Sequence, residues 1–266
     1  HIPHSAAHLP LTLPQDSDTV SNEAILPHCP AKGAAAMSLS ILVAVGLYLL
    51  GAYLLGATPF SQIIASWRGR VNLREAGEGN VGSRNVWHLV GPQWGLLAGG
   101  LDVAKGLLAY EAGVGLSAIL QLPLAVALLG GVVALLGHQF PIFLRGQGGK
   151  GLATALGVIL GLSPFAALAG LIILGLSQVI FRDFNLSIIP GIIVIILLPV
   201  FLRQPIWVAA YALGLALLLA LKKLLDRPHE SRVWASRPWQ GTAEPGWRSA
   251  PDTAGDEEPS PEANSH

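Results

Sequence analysis

Residues 137–151 read Gly-His-Gln-Phe-Pro-Ile-Phe-Leu-Arg-Gly-Gln-Gly-Gly-Lys-Gly and lie between two long apolar runs. Glycines carry no Cβ, so successive backbone N–H groups can turn toward one point and form a concave anion site. Arg145 and Lys150 add positive charge there. The chemistry this suits is phosphate binding. It is not a Walker A loop, which needs glycine where Leu144 stands and Ser or Thr where Gly151 stands. A flexible connector with two lipid-facing cations is the plainer reading of the same residues. His138 opens the stretch, and imidazole titrates near neutral pH, so it can act as a general base or simply cap its helix by hydrogen bonding.

A second polar stretch, residues 73–88, interleaves Gly77, Gly79 and Gly82 with Asn80, Ser83, Arg84 and Asn85. Such a loop suits an oxyanion, and Arg84 can grip phosphate through two parallel N–H bonds, which lysine cannot do. A Gly-Asn-rich turn is the alternative; two cationic glycine loops on one membrane face favour the binding reading. His88, beside Trp87, is a second candidate base. Asp102 and Lys105 stand three apart in an apolar run, so they share a helix face and can pair. Ionisable groups inside a span are expensive and face a cavity or the bundle interior. At about 1.5 Å per residue, Lys105 lies roughly 20 Å from a helix start near residue 92, too deep for easy snorkelling.

The elements that must hold these residues are membrane helices. Of 266 residues, 52% are hydrophobic and 12% charged, against about 25% charged in a soluble domain. The mean hydropathy is +0.55. Apolar runs predict an all-α, polytopic membrane protein of about seven transmembrane helices, at 39–64, 93–118, 121–139, 150–163, 164–182, 186–202 and 205–225. Thr58, Ser61, Gln62 and Ser66 take the end of the first run into an interface or a cavity. Pro123, Pro164 and Pro205 sit at helix starts, where proline is tolerated. Pro190 predicts a kink or a later start. The 150–163 segment is short: it either continues through Pro164 with a kink or forms a half-buried helix lining a site. Gly95 with Gly99, and Gly157 with Gly161, have the spacing that lets helix backbones approach closely.

Charge orients the bundle. With the first polar loop in the cytoplasm, thirteen basic residues lie inside; Lys32 and Arg203 lie outside, and Lys105 lies within a helix. That asymmetry obeys the positive-inside rule. Seven spans then put the N-terminus outside and the C-terminus and both glycine loops in the cytoplasm. Residues 1–36 are expected to be a disordered or non-native extension; they lack signal-peptide character, and Met37, directly before the first run, is a candidate native start. Residues 37–225 form the membrane domain. Residues 226–266, rich in Pro, Trp and Arg and ending in an acidic run, are expected to be a disordered or surface-lying tail. The single Cys29 excludes an intramolecular disulfide and a Cys-based metal site. No carboxylate cluster has metal-ligand spacing, so neither metal nor cofactor is expected. No basic domain suggests nucleic acid as a partner.

Three motifs, in order and suitably spaced over about residues 40–165, resemble the bacterial acyl-phosphate-dependent glycerol-3-phosphate acyltransferase family (PlsY). They are Ala52-Tyr53-Leu54-Leu55-Gly56-Ala57-Thr58-Pro59-Phe60 with Gly77-Glu78-Gly79-Asn80-Val81-Gly82-Ser83-Arg84-Asn85-Val86, then Asp102-Val103-Ala104-Lys105-Gly106. The last is Gly137-His138 through Pro141-Ile142-Phe143-Leu144 to Gly148-Gly149-Lys150-Gly151-Leu152-Ala153-Thr154. The resemblance implies a seven-helix enzyme of the bacterial plasma membrane with a cytoplasmic site. It implies transfer of a fatty acyl group from acyl phosphate to the 1-hydroxyl of glycerol 3-phosphate, giving lysophosphatidate and phosphate in phospholipid synthesis. Gly79, Asn80, Gly82, Ser83, Asn85, Gly148, Gly149, Lys150, Gly151 and Thr154 would then bind substrate, with His138, Arg84 and Lys105 catalytic. Because the donor carries phosphate as a good leaving group, positioning and charge stabilisation suffice for much of the rate, and the base is either the substrate's own phosphate or a histidine. The sequence departs from the pattern at Glu78, usually serine, and at His88, usually arginine; Arg84, commonly threonine, can supply the lost cation. After Leu225 the family's C-terminal motif, His-Arg…Asn-Ile…Arg-Leu…Gly…Glu, is not matched. Two alternatives follow: a relative that acylates another phosphorylated polyol, and an organic-anion transporter gated by the same loops. The transporter should show an internal repeat, and the two loops differ in sequence and flank unlike helices.

Overall fold

The computed structural model describes residues 38–236, all helix, turn or loop. The readings of Met37, of residues 1–36 and of the tail beyond Ser236 lie outside the described residues. The helices are α1 (Leu39–Ala57), α2 (Phe60–Ile64), α3 (Ser83–Leu89), α4 (Pro92–Leu120), α5 (Ala125–Gln139), α6 (Leu152–Leu162), α7 (Pro164–Phe181), α8 (Phe184–Phe201) and α9 (Ile206–Ser236). Among the described residues, six apolar helical stretches are long enough to cross a bilayer, one of them Leu39–Gly69, which joins α1, α2 and a following π-turn. The seventh, α6, has 11 residues, or roughly 16 Å against a hydrocarbon core of about 30 Å. Of the two options for 150–163, a separate short helix therefore holds and a kinked continuation does not. The chain breaks at Ser163 (φ −146°, ψ 80°), and Pro164 begins a separate helix.

The first run does not stay one helix to residue 64. Pro59 forces the residue before it out of the helical region, and Thr58 is extended at φ −60°, ψ 116°. Its hydroxyl donates back to the Leu54 carbonyl at 3.0 Å, closing the end of α1. The Thr58 carbonyl thus leaves the α1 ladder and turns to other partners. At Pro190 the helix does not start late. Asp183 caps α8 by accepting from the Leu186 N–H at 3.0 Å, and the helix runs through Pro190 and Pro199.

Small residues bring the helices together. A methyl on Gly56 would strike the Ala134 backbone and one on Gly137 the Tyr53 carbonyl, so α1 and α5 touch backbone to backbone. Gly106 meets the Thr154 carbonyl and Gly157 the Val103 carbonyl, so α4 and α6 do the same. Lipid competes for apolar side chains as well as a neighbouring helix does, and close van der Waals contact between backbones is what remains to drive association. Gly95 and Gly99 pack on Trp87 and Ser83 of α3, as their spacing suggested. Large apolar side chains such as Leu39, Ile172, Val179 and Phe201 point outward, where lipid covers them.

The C-terminal boundary is a correction. The helix does not end at 225: α9 continues to Ser236. Lys222 donates to Asp226 at 2.6 Å four residues on, which carries the helix across the expected edge. His229, Glu230 and Val233 find partners in the polar loops.

Candidate active site

Three ionisable side chains converge where the middle of α4 meets the end of α5. Asp102 Oδ1 lies 2.8 Å from Lys105 Nζ and 3.6 Å from His138 Nδ1. Ser61 of α2 donates to Asp102 Oδ2 at 3.3 Å. Lys105 also donates to the freed Thr58 carbonyl at 3.1 Å. Only 1% of Lys105 is exposed, so the charge that sequence spacing placed too deep to snorkel is neutralised where it stands. An unpaired ammonium at that depth would be too costly to keep, which makes Asp102 and the Thr58 carbonyl conditions of its presence. These groups line a small cleft whose other walls include Phe60, Val81 and Gly148-Gly149.

His138 has two distinct sides. Nδ1 faces the Asp102 carboxylate, and Nε2 faces the glycine loop, because a methyl on Gly149 would run into it. A carboxylate on one ring nitrogen favours the tautomer that leaves the other free to take a proton. The geometry therefore suits a base aimed at the loop.

The glycine loop after α5, the second in chain order, differs in detail from the expected anion nest. The Gly148 N–H donates to the Gln139 carbonyl and the Gly149 N–H to the His138 carbonyl, both at 3.2 Å. Those two donors satisfy the end of α5. Gly151 (φ 90°) occupies the N-cap of α6, a conformation open to glycine at no steric cost. The first N–H groups of a helix lack partners within it and favour anions, so the anion-binding capacity moves to the start of α6. Thr154, in that first turn, is fully buried, and its hydroxyl oxygen has no hydrogen-bond partner among the described residues. Lys150 makes an ion pair with Glu230 at 2.8 Å.

The first loop is held from within. Asn85 donates from Nδ2 to the carbonyls of Leu73, Ala76 and Asn80 and accepts the Glu78 N–H on Oδ1, all at 3.0–3.1 Å. With no exposed surface, this side chain shapes the loop and does not reach the cleft. That corrects its expected role as a substrate ligand. Gly79 (φ 65°) lies beneath Val233, Gly82 precedes the first turn of α3, and Ser83 faces Gly99. Asn80 is buried, and its side-chain amide oxygen Oδ1 lacks a hydrogen-bond partner among the described residues. Arg84 Nε lies 3.3 Å from Glu78 Oε1, and its guanidinium stacks on Phe184 at 4.7 Å. Two of the departures from the family pattern, the acid Glu78 and the base Arg84, thus meet each other.

Sequence reasoning paired Asp102 with Lys105 but did not place it against His138. It also passed over Gln139, buried and donating to the Lys150 carbonyl at 3.1 Å, and Glu230. Gln139 carried a signal, a polar residue after His138 at the end of an apolar run. Glu230, 80 positions from Lys150, carried none.

A helical membrane bundle with a polar, cation-bearing cleft where the ends of α1 and α5 meet the middle of α4 defines the class. The family model Glycerol-3-phosphate acyltransferase matches residues 46–227, and the chain belongs to that family. It is 40% identical over 139 residues to a glycerol-3-phosphate acyltransferase of Geotalea daltonii, covering 52% of this chain and 69% of the relative. It is 33% identical over 193 residues to one of Synechococcus elongatus, covering 70% and 92%. Among solved structures it resembles PlsY, an integral membrane glycerol 3-phosphate acyltransferase, in its glycerol 3-phosphate form. That match has a TM-score of 0.62 at 31% identity and covers 73% of this chain and 94% of the other. The lysophosphatidic acid form of PlsY matches with a TM-score of 0.60. The chain is a multi-pass membrane acyltransferase.

Proposed function

We propose that the chain transfers a fatty acyl group from acyl phosphate to the 1-hydroxyl of glycerol 3-phosphate, at the cytoplasmic face of a bacterial plasma membrane. The observation that carries this reading is the Asp102–His138–Lys105 cluster, set in a cleft beside the Gly148-Gly149 loop. His138 Nε2 accepts the proton of the acceptor hydroxyl as the oxygen attacks the acyl carbon. The C–O bond to phosphate breaks, and the electron pair leaves with inorganic phosphate. The buried Lys105 charge and the N–H groups at the start of α6 stabilise oxyanion charge as it develops. Lys150 and Thr154 hold the acceptor's phosphate, and Gly79, Asn80, Gly82, Ser83 and Arg84 border the donor's. The product is lysophosphatidate, which feeds phospholipid synthesis.

Counting α6 as a short seventh crossing, with the bilayer thinned around it, and applying the positive-inside rule, we place the N-terminus outside and both glycine loops in the cytoplasm. Cysteines introduced at Arg203 and Arg145 should be labelled by an impermeant reagent from the outside and the inside, respectively. Purified protein should release phosphate from palmitoyl phosphate in the presence of glycerol 3-phosphate and not in its absence. Release that requires a different polyol phosphate would reassign the acceptor.

A further inference from the structure

The last turns of α9 tie the two polar loops together. His229 Nε2 meets the Arg74 carbonyl at 2.9 Å, and Val233, one turn on, covers Gly79. Between them, Glu230 places its carboxylate 2.8 Å from Lys150 Nζ, with the two side chains 16% and 26% exposed. One helix end therefore holds the first loop through two residues and occupies the cation of the second loop through a third.

We infer that Glu230 is a built-in competitor for the acceptor phosphate: it neutralises Lys150 in the resting enzyme and must swing away before phosphate can take the same ammonium. The inference rests on Lys150 serving the acceptor, as proposed above. A carboxylate and a phosphate present similar oxygens to an ammonium, and the phosphate brings the greater charge. A pair this close to solvent is weak, so substrate can displace it, yet it still taxes affinity. Glu230 acts through Lys150 and so sets the acceptor concentration at which the enzyme works.

A plain structural latch predicts the opposite sign. If Glu230 only secured α9, its removal would loosen the loops and weaken binding. If it competes, removal tightens binding. Calorimetric titration of the purified full chain with inorganic phosphate and with glycerol 3-phosphate separates the two. Glu230→Gln should bind both about three- to fivefold more tightly than wild type, the range that partly exposed ion pairs command. The KM for glycerol 3-phosphate should fall by a similar factor while kcat changes less. Glu230→Ala serves as a second variant, and the gain should vanish in the Lys150→Ala background. Equal or weaker binding in both Glu230 variants overturns the inference. If the protein acylates no glycerol 3-phosphate but Glu230→Gln still tightens phosphate binding, the acyl-transfer reading fails and the competition stands. If acyl transfer proceeds but the Glu230 variants bind phosphate as wild type does, the acyl-transfer reading stands and the competition fails.

Discussion

The two glycine loops have similar composition but are held in different ways. The first is closed at its centre by one side chain, Asn85, whose amide joins residues no more than 12 positions away, and His229 and Val233 of α9 add a contact each. The second has no such hub: two carbonyls at the end of α5, the Gln139 amide and the Glu230 carboxylate from α9 each hold one point. A loop closed by one buried side chain is a folding unit. A loop held at separate points is adjustable, because each restraint can be released without unfolding the rest.

The sharpest way to break this contrast is to place the same methyl in each loop. In Gly149→Ala the new methyl runs into the His138 ring; in Gly82→Ala it meets the Asn80 amide at 3.3 Å, which can give. Misplacing a base by about an ångström costs on the order of a hundredfold in rate. Gly149→Ala should lose about that much kcat, and Gly82→Ala less than about tenfold, read by phosphate release. Comparable losses in both would erase the distinction.

Asn85→Ala tests the self-contained loop. It strips a buried hub and leaves polar backbone groups unpaired, at about 1–3 kcal/mol. Lower thermal stability in detergent should appear before any specific kinetic defect. Lys150→Ala is the counterpart in the adjustable loop. It should raise the KM for glycerol 3-phosphate about tenfold, as expected for loss of one charge-assisted contact, with stability near wild type. Unchanged apparent affinity would remove Lys150 from the acceptor site. The smallest effect belongs to the Glu78–Arg84 pair. A double-mutant cycle with Glu78→Gln and Arg84→Gln should give a coupling of about 1 kcal/mol or less in stability.

This contrast also explains what could be read from the sequence. The helices were legible because lipid imposes a length and an apolarity that survive in composition. The Asp102–Lys105 pair was legible because helical spacing fixes it. Both loops announced themselves by their glycines. Their wiring was another matter. Asn85 looked like a ligand because an amide within a glycine loop has the same appearance whether it faces a substrate or its own backbone. Glu230 was invisible because its partner lies 80 positions away, and the tail around it lacks the apolar density that marks a helix. The break at Thr58 was half legible: Pro59 marked it, but nothing local showed that the freed carbonyl would meet Lys105.

That carbonyl bears on how the site tolerates mutation. Every residue type offers the same main-chain oxygen, so side-chain replacement at Thr58 leaves the acceptor for the Lys105 ammonium in place. The positional information resides one residue later, in a proline that touches neither Lys105 nor Asp102 by hydrogen bond. A scan of variants should therefore find position 58 permissive and position 59 intolerant, an apparent inversion in which the residue that bonds the lysine is dispensable and its silent neighbour is not.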